Sequence, residues 1–589
     1  MSENELIVGM YALVLLFLLW LPQAVQAQSP FDLRILDAML QDAVSPLTPC
    51  LSLTLVVDGQ LVYRKAFGAF EPDRPVQIAS ASKWYAAAVL MELVDEGKLR
   101  LDDRASQYIP NWPPDKAAIT LRQLISHTSG IVADHPCLFD AGTTLAACVD
   151  RIAREPLLFT PGAKFSYGNA AFQAAARMAE RATGKSWSVL FTEELVRPLD
   201  LGCTRVDGIG SVQNPLVAGG VASCAADYVK FLKMFLNEGT YQGTRLLSAP
   251  AVAEMSRDQT MGVEILHSVY EDYTALDPGL PKLRYGLGLW RERVEAQSGR
   301  PLDVSSQGAM GFSPWIDIDR HLAGVLSAQS SQDLIMPLYL ELKDLIRRIV
   351  PPYQQRTVAV TNGASYRLGA VAPGEVITVF GAGIGPEEDA KLQMETQDRV
   401  GSALKGFRVL IDGKPAPLLF AGWSQISALA PFSLNGKDRA TLTIERLGKN
   451  GPSVPLLVAP AVPGIFTAGS SGNGNGAIIN EDGTVNSSAR PARRGSIILI
   501  YATGGGMTDP PAEDGKVQAG LSALRLRPAV RIGNQPGEVL YAGGAPGLVS
   551  GVLQLNVKVS ENTPAGPAVP LTLTVGEAAS QPGVTVAIQ

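Results

Sequence analysis

The stretch "IASASKWYAA", residues 78–87, sets Ser80 three positions before Lys83 at the head of a run of small, helix-favouring residues. On a helix, residues three apart share a face, so the Ser80 hydroxyl and the Lys83 amine come within hydrogen-bond reach. The preceding "VQIAS" suits a strand or loop that enters this helix and puts Ser80 in its first turn. Backbone N–H groups are unpaired there, and the amide of Ser80 can help hold an oxyanion. A lysine in water, with a pKa of about 10.4, cannot take a proton at neutral pH. Burial or a neighbouring cation lowers that value by several units, and the apolar Ala79, Ala81, Trp84 and Ala86 favour burial. On this stretch alone, a solvated lysine on an ordinary helix is an equal reading. "SALK" at Ser402 to Lys405 has the same spacing without helical context and serves as an internal control.

Further along, "FTPGAKFSYGN" contains Tyr167-Gly168-Asn169, the only Tyr-x-Asn in the chain, in a turn before a helix. A tyrosine beside a lysine can relay a proton between nucleophile and leaving group, and an asparagine amide can bind a substrate carbonyl or hold the lysine. The bland alternative is a buried tyrosine with a capping asparagine. The two motifs together are far less easily accidental.

With both in place, the sequence resembles the serine β-lactamase and penicillin-binding-protein superfamily, nearest to class C β-lactamases, family VIII carboxylesterases and D-amino-acid-specific peptidases. The resemblance covers residues 35–348 and includes "DEGKLRLDDRASQYIPNWP", "ITLRQLISHTSGI", "RPLDLGCT" and "YGLGLW" in the family's order. It implies an acyl-enzyme on Ser80, acid and base work shared by Lys83 and Tyr167, and substrate orientation by Asn169. The family's third motif, Lys or His, a small residue, then Gly, corresponds to Ser306-Gln307-Gly308 in "SSQGAMGFSPWID". On this reading Ser306 and Gly308 line the substrate site, Gly308 lets substrate approach the strand, and the Ala309 N–H is the second oxyanion donor. The missing cation disfavours substrates with a carboxylate by about a kcal/mol, which points to small neutral esters.

The 589 residues, 46% hydrophobic and 18% charged, suit several globular domains. A net charge of −6 without any Lys/Arg block argues against nucleic acid as a partner. Residues 1–27 read as an export signal, although Glu3 and Glu5 replace the usual basic start and leave an uncleaved anchor open. A secreted or periplasmic location follows. In such a compartment the cysteines can pair as Cys137 with Cys148 and Cys203 with Cys224, leaving Cys50 free; five buried thiols are the alternative.

Residues 31–350 alternate helical and strand-like runs and form an α+β hydrolase domain, with "LYLELKDLIRRIV" its last helix before Pro351 and Pro352. Beyond residue 356 the text is Gly-, Pro- and Val-rich, with short alternating segments that read as all-β. It repeats: Gly374 and Gly495, Ile411 and Ile532, and Gly422 and Gly543 are each 121 residues apart. Two β-sandwich units follow, 356–460 and 461–589. They resemble an uncharacterised Ig-like family at the ends of secreted bacterial proteins, for which contact with cell wall or glycan, attachment of the enzyme to a surface and simple spacing are all open. Trp423 and Tyr541 are candidate sugar platforms, but core packing is the more ordinary fate.

Competing chemistries find little support. There is no G-x-S-x-G turn for a Ser-His-Asp hydrolase, and of His127, His135, His267 and His321 only His127 lies in a family segment, as a turn residue near the site. Neither H-E-x-x-H nor a clustered His/Cys pattern occurs, so no metal or cofactor is expected. The alternatives to an esterase are a β-lactamase or D,D- or D-amino peptidase and, from another class, a non-catalytic surface-binding protein.

Overall fold

A computed structural model describes residues 31–206, 209–269, 284–356 and 358–589. The expected export segment, residues 1–27, lies outside the described residues. The described chain divides into two compact units, Phe31–Pro352 and Tyr353–Gln589.

The first unit is α+β. Its sheet is built from β1 (Cys50–Val57), β2 (Gln60–Gly68), β3 (Arg284–Tyr285), β4 (Trp290–Val294), β5 (Pro301–Ser305), β6 (Phe312–Asp317) and β7 (Leu322–Ala328), in the antiparallel order β2-β1-β7-β6-β5-β4-β3. β1 and β7 are buried along their whole length, because helices cover both faces of the sheet centre. The helices that matter here are α1 (Ser82–Asp95), α2 (Ala170–Thr183), α3 (Ala225–Leu236) and α4 (Gln332–Ile349). On β6, Phe312 meets Tyr228 of α3, while Trp315, an odd number of residues along, meets Tyr339 of α4. Side chains alternate across a strand, so α3 and α4 lie on opposite faces.

α1 is buried on nearly every side, from Ser82 to Leu93. A helix without a polar face is a core helix, and here Trp84 and Tyr85 pack edge-on against Phe231 of α3. Because α1 sits inside the unit, whatever polar group it carries there must find partners inside too.

The second unit contains the repeat. The first copy has β8 (Val358–Asn362), β9 (Val376–Gly381), β10 (Phe407–Ile411), β11 (Leu418–Gly422), β12 (Gln425–Leu429), β13 (Arg439–Arg446) and β14 (Lys449–Leu457). The second has β15 (Ile478–Ile479), β16 (Ile497–Thr503), β17 (Pro528–Ile532), β18 (Gln535–Gly544), β19 (Leu553–Lys558), β20 (Gly566–Val575) and β21 (Val584–Ile588). The order β8-β9-β12-β11 faces β10-β13-β14, and β15-β16-β19-β18 with β17-β20-β21 reproduces it. Each copy is a sandwich: Ile377, Ile426 and Leu418 from one sheet meet Val409, Leu442 and Ile444 from the other. In the second copy β18 also pairs with β17, which joins its two sheets. A separate cluster, with Val376, Leu419 and Leu429 from one copy and Phe466, Tyr501 and Val552 from the other, welds the copies into one body. Trp423 and Tyr541 are both half-buried, and the Tyr541 hydroxyl donates to the Gly544 carbonyl at 2.7 Å.

Disulfides join Cys137 to Cys148 and Cys203 to Cys224, and Cys50 is a buried free thiol. Each closes a short loop, a constraint on the unfolded chain worth about 3 kcal/mol. Thiol titration of the unfolded, unreduced protein should therefore find one reactive cysteine per chain, and all five after reduction.

Candidate active site

A short ladder leads into the nucleophile turn: Val76 and Gln77 pair with Ser223 and Ala222, and the Ile78 N–H donates to the Val221 carbonyl at 3.0 Å. Ala79 then takes a positive φ of 44°, and a tight turn over Ala79–Ala81 carries Ser80 into α1. A residue with a Cβ resists this conformation by about 1–3 kcal/mol, so the turn has to be held from outside. The Tyr228 hydroxyl donates to the Ala81 carbonyl at 2.8 Å, the Val221 N–H donates to Ser82 Oγ at 3.2 Å, and the Ser306 hydroxyl donates to the Ser80 carbonyl at 3.2 Å. Ser80 is left half-buried with its N–H unclaimed among the described residues.

Lys83 is completely buried. Its Nζ lies 3.1 Å from Ser80 Oγ, 2.7 Å from Asn169 Oδ1 and 3.2 Å from the Ala218 carbonyl. Burial pulls its pKa down to about 7, against an opposing pull from the Asp134 carboxylate. The geometry orders the protons. A neutral amine has two N–H donors and one lone pair, and two of its three neighbours are carbonyl oxygens that can only accept. Asn169 and Ala218 therefore take both hydrogens, and the lone pair is turned to the Ser80 O–H.

Tyr167 lies against this amine, with its ring centroid 4.6 Å from Lys83 Nζ. Burial raises the phenol above its ordinary range, and the nearby Ser80 hydroxyl works in the opposite sense. The ring is walled by Trp290 and His127, at centroid distances of 5.2 and 4.6 Å. His127 is buried and held neutral, and its Nε2 has no hydrogen-bond partner among the described residues. It serves as a wall. Asn169 is oriented at both ends, its carbonyl towards Lys83 and its amide Nδ2 donating to Asp134 Oδ1 at 2.6 Å. Gly168 makes this possible, because a Cβ there would lie 2.4 Å from the Ala133 carbonyl oxygen.

Two residues of the third motif contact the nucleophile turn. The Ser306 hydroxyl is buried and donates to the Ser80 carbonyl, so it pins the nucleophile turn. A Cβ on Gly308 would lie 2.1 Å from the Ile78 carbonyl oxygen, so this glycine admits the nucleophile loop. The Gln307 amide turns away to Glu292, which also binds Lys343 and Tyr339 of α4. The effect is to seat Ala309 beside the turn with its N–H uncommitted among the described residues. Ser80 and Ala309 thus offer two backbone donors, as an oxyanion site requires.

The β-lactamase family model fits residues 36–333, half of the chain. The chain belongs to the β-lactamase family. Penicillin-binding protein 4 of Amycolatopsis lactamdurans is 30% identical over 253 residues, which are 36% of this chain and 66% of that protein. The D-alanyl-D-alanine-carboxypeptidase/endopeptidase AmpH of Escherichia coli K12 is 29% identical over 296 residues, 44% of this chain and 72% of that one. The solved structure of a β-lactamase-like protein from Bacteroides dorei DSM 17855 is 31% identical with a TM-score of 0.50, covering 54% of this chain and 99% of its own. Membership makes the chain a serine hydrolase of the β-lactamase and penicillin-binding-protein kind.

Sequence reasoning missed Asp134 and Ala218. The first left no motif and the second acts through a backbone carbonyl. The control Lys405 pairs with Glu388 on the surface of the second unit. Cys203, Cys224 and Asp227 cluster as metal ligands would, but the two sulfurs are bonded to each other; Glu92, Glu96 and Glu194 form a partly exposed acidic group.

Two outcomes follow for this family member. Labelling of Ser80 by a fluorophosphonate should rise with pH through about 7, as Lys83 loses its proton, and Lys83→Ala should slow it by about 10²–10⁴-fold at pH 8. Gly308→Ala should lower kcat/KM for any acyl donor by about tenfold or more, yet leave the pH midpoint in place, because it moves the oxyanion donor and not the base.

Proposed function

We propose that this hydrolase is an exported carboxylesterase that acts on small esters through an acyl-enzyme on Ser80. The observation that carries the reading is the Lys83 amine, buried, pulled down to about 7 and with both hydrogens committed to carbonyl oxygens. Neutral Lys83 accepts the Ser80 proton as Oγ adds to the ester carbonyl, and the oxyanion rests on the N–H groups of Ser80 and Ala309. Tyr167, whose ring lies against the amine and whose hydroxyl lies near Ser80, passes that proton to the departing alkoxide. The alcohol leaves and the acyl group stays on Oγ. Water then adds to the acyl carbonyl while the same base takes its proton, and collapse returns the acid and the free serine.

The preference for esters over β-lactams rests on what the third motif lacks. Ser306 and Gln307 bring no cation, and both side chains are already committed to the protein. A second reading, cleavage of a D-alanyl-D-alanine bond, draws on the activity in the name of AmpH. That substrate ends in a carboxylate, for which these two positions provide no partner. The two disulfides favour export, since such bonds persist in oxidising compartments.

Turnover of p-nitrophenyl butyrate and nitrocefin by wild type and Ser80→Ala tests the proposal. The ester should be consumed faster, and both activities should vanish in the variant. Faster nitrocefin turnover would favour the β-lactamase reading, and an active Ser80→Ala protein would remove the nucleophile.

A further inference from the structure

We propose that the Asp134 carboxylate makes the acyl side of this site a selector of charge, which prefers acyl donors bearing an ammonium group near the reacting carbonyl and turns away those bearing a carboxylate. The inference rests on the acyl-enzyme reading and names the substrate class it serves.

Asp134 is held in place by its neighbour. The Ala133 carbonyl accepts from the N–H groups of Asn169 and Ala170 at 2.7 and 3.0 Å, and Gly168 packs flush against the Ala133 backbone. The segment before Asp134 is thus clamped to the start of α2, and the carboxylate lies where Asn169 Nδ2 meets Oδ1 at 2.6 Å. From there the chain of contacts is short: Asn169 Oδ1 to Lys83 Nζ is 2.7 Å, and Lys83 Nζ to Ser80 Oγ is 3.1 Å. The charge is close enough to act on both Lys83 and Tyr167.

The hydrogen bond from Asn169 is neutral and leaves that charge intact. Asp134 is exposed, it has a second oxygen, and no Lys, Arg or His among the described residues pairs with it. An independent observation lies across the nucleophile, where the third motif brings no cation among the described residues to balance it. The Ser306 hydroxyl is bound to the Ser80 carbonyl and the Gln307 amide to Glu292. With Lys83 neutral, the formal charge that the described residues beside Ser80 present to an entering acyl group is negative. At about 6 Å and an intermediate dielectric, such a charge shifts binding of a unit charge by about tenfold in either direction.

Alkylboronic acids add reversibly to a serine Oγ and give a tetrahedral adduct, so they read this preference without turnover. The full-length protein is labelled on Ser80 with a fluorophosphonate in the presence of butylboronic, 3-(trimethylammonio)propylboronic or 3-carboxypropylboronic acid. Protection should be about tenfold stronger for the ammonium compound than for butylboronate, and about tenfold weaker for the carboxylate, at low salt. In Asp134→Asn, which keeps an oxygen for the Asn169 amide, the ratio of ammonium to carboxylate compound should fall from about a hundredfold to within about threefold. Asp134→Glu should retain most of it. Raising salt on the wild type should compress the ratio without any substitution. Equal protection by the three compounds in wild type, or an unchanged ratio in Asp134→Asn, overturns the proposal. So does a parallel loss for all three, which is the signature of a residue that only positions Asn169. Failure of the probe to label Ser80 sinks the acyl-enzyme reading and this inference with it, whereas a labelled Ser80 with a flat series sinks the inference alone.

Discussion

A buried amine with two carbonyl oxygens for company is the constraint on which the site depends. Lys83 lies on the most enclosed helix of the first unit, where an ammonium ion would cost several kcal/mol in lost hydration. Among the described residues no carboxylate touches it; its hydrogen-bond partners there are Asn169 Oδ1, the Ala218 carbonyl and Ser80 Oγ. Neutral partners stabilise an ammonium less than a carboxylate would, so burial wins and the proton is given up near neutrality. Had the fold placed an acid against Lys83, the same lysine would be a permanent cation and no base.

Much of the remaining geometry consists of backbones brought unusually close. Gly308 sits under the Ile78 carbonyl, Gly168 against Ala133, and Gly288 against the Lys83 carbonyl, each at a distance where a Cβ would collide. Two of these contacts join segments more than two hundred residues apart and the third joins residues 35 apart; together they align the nucleophile turn, the oxyanion strand and the Tyr-x-Asn loop. The strained φ of Ala79 belongs to the same economy of space: the turn is held by hydrogen bonds from Tyr228 and Ser306 because it would not hold itself. A glycine in such a place is a statement about its neighbour, and Gly308 makes room for the Ile78 carbonyl.

The second unit follows a simpler logic. Alternating apolar residues on short strands generate two faces, and two sheets bury them against each other. β9 and β16, and likewise β10 and β17, begin 121 residues apart, so the repeated text is a repeated fold. The copies have nevertheless diverged where they meet, with Val376 and Leu429 of one packed among Phe466, Tyr501 and Val552 of the other. That shared core makes Tyr353–Gln589 one compact unit although its sequence reads as two modules.

Local pattern was enough for the class of each half, the position of the last helix before Pro351, the contact of Ser80 with Lys83 and the choice of Tyr167 and Asn169 as the residues that lie against that lysine. Those features live in spacings of two to four residues and in side-chain type, which a sequence displays directly. Tertiary structure decided the rest: that Ala218 supplies a carbonyl to the lysine, that Asp134 turns Asn169, and that Ser306 braces the nucleophile turn. A backbone carbonyl has no letter of its own, and an aspartate in a loop looks like any other until packing brings it to its partner. The physical reason is range, because helix and strand periodicity act between near neighbours, whereas the desolvation and close contacts that set the chemistry here arise only when distant segments exclude water together.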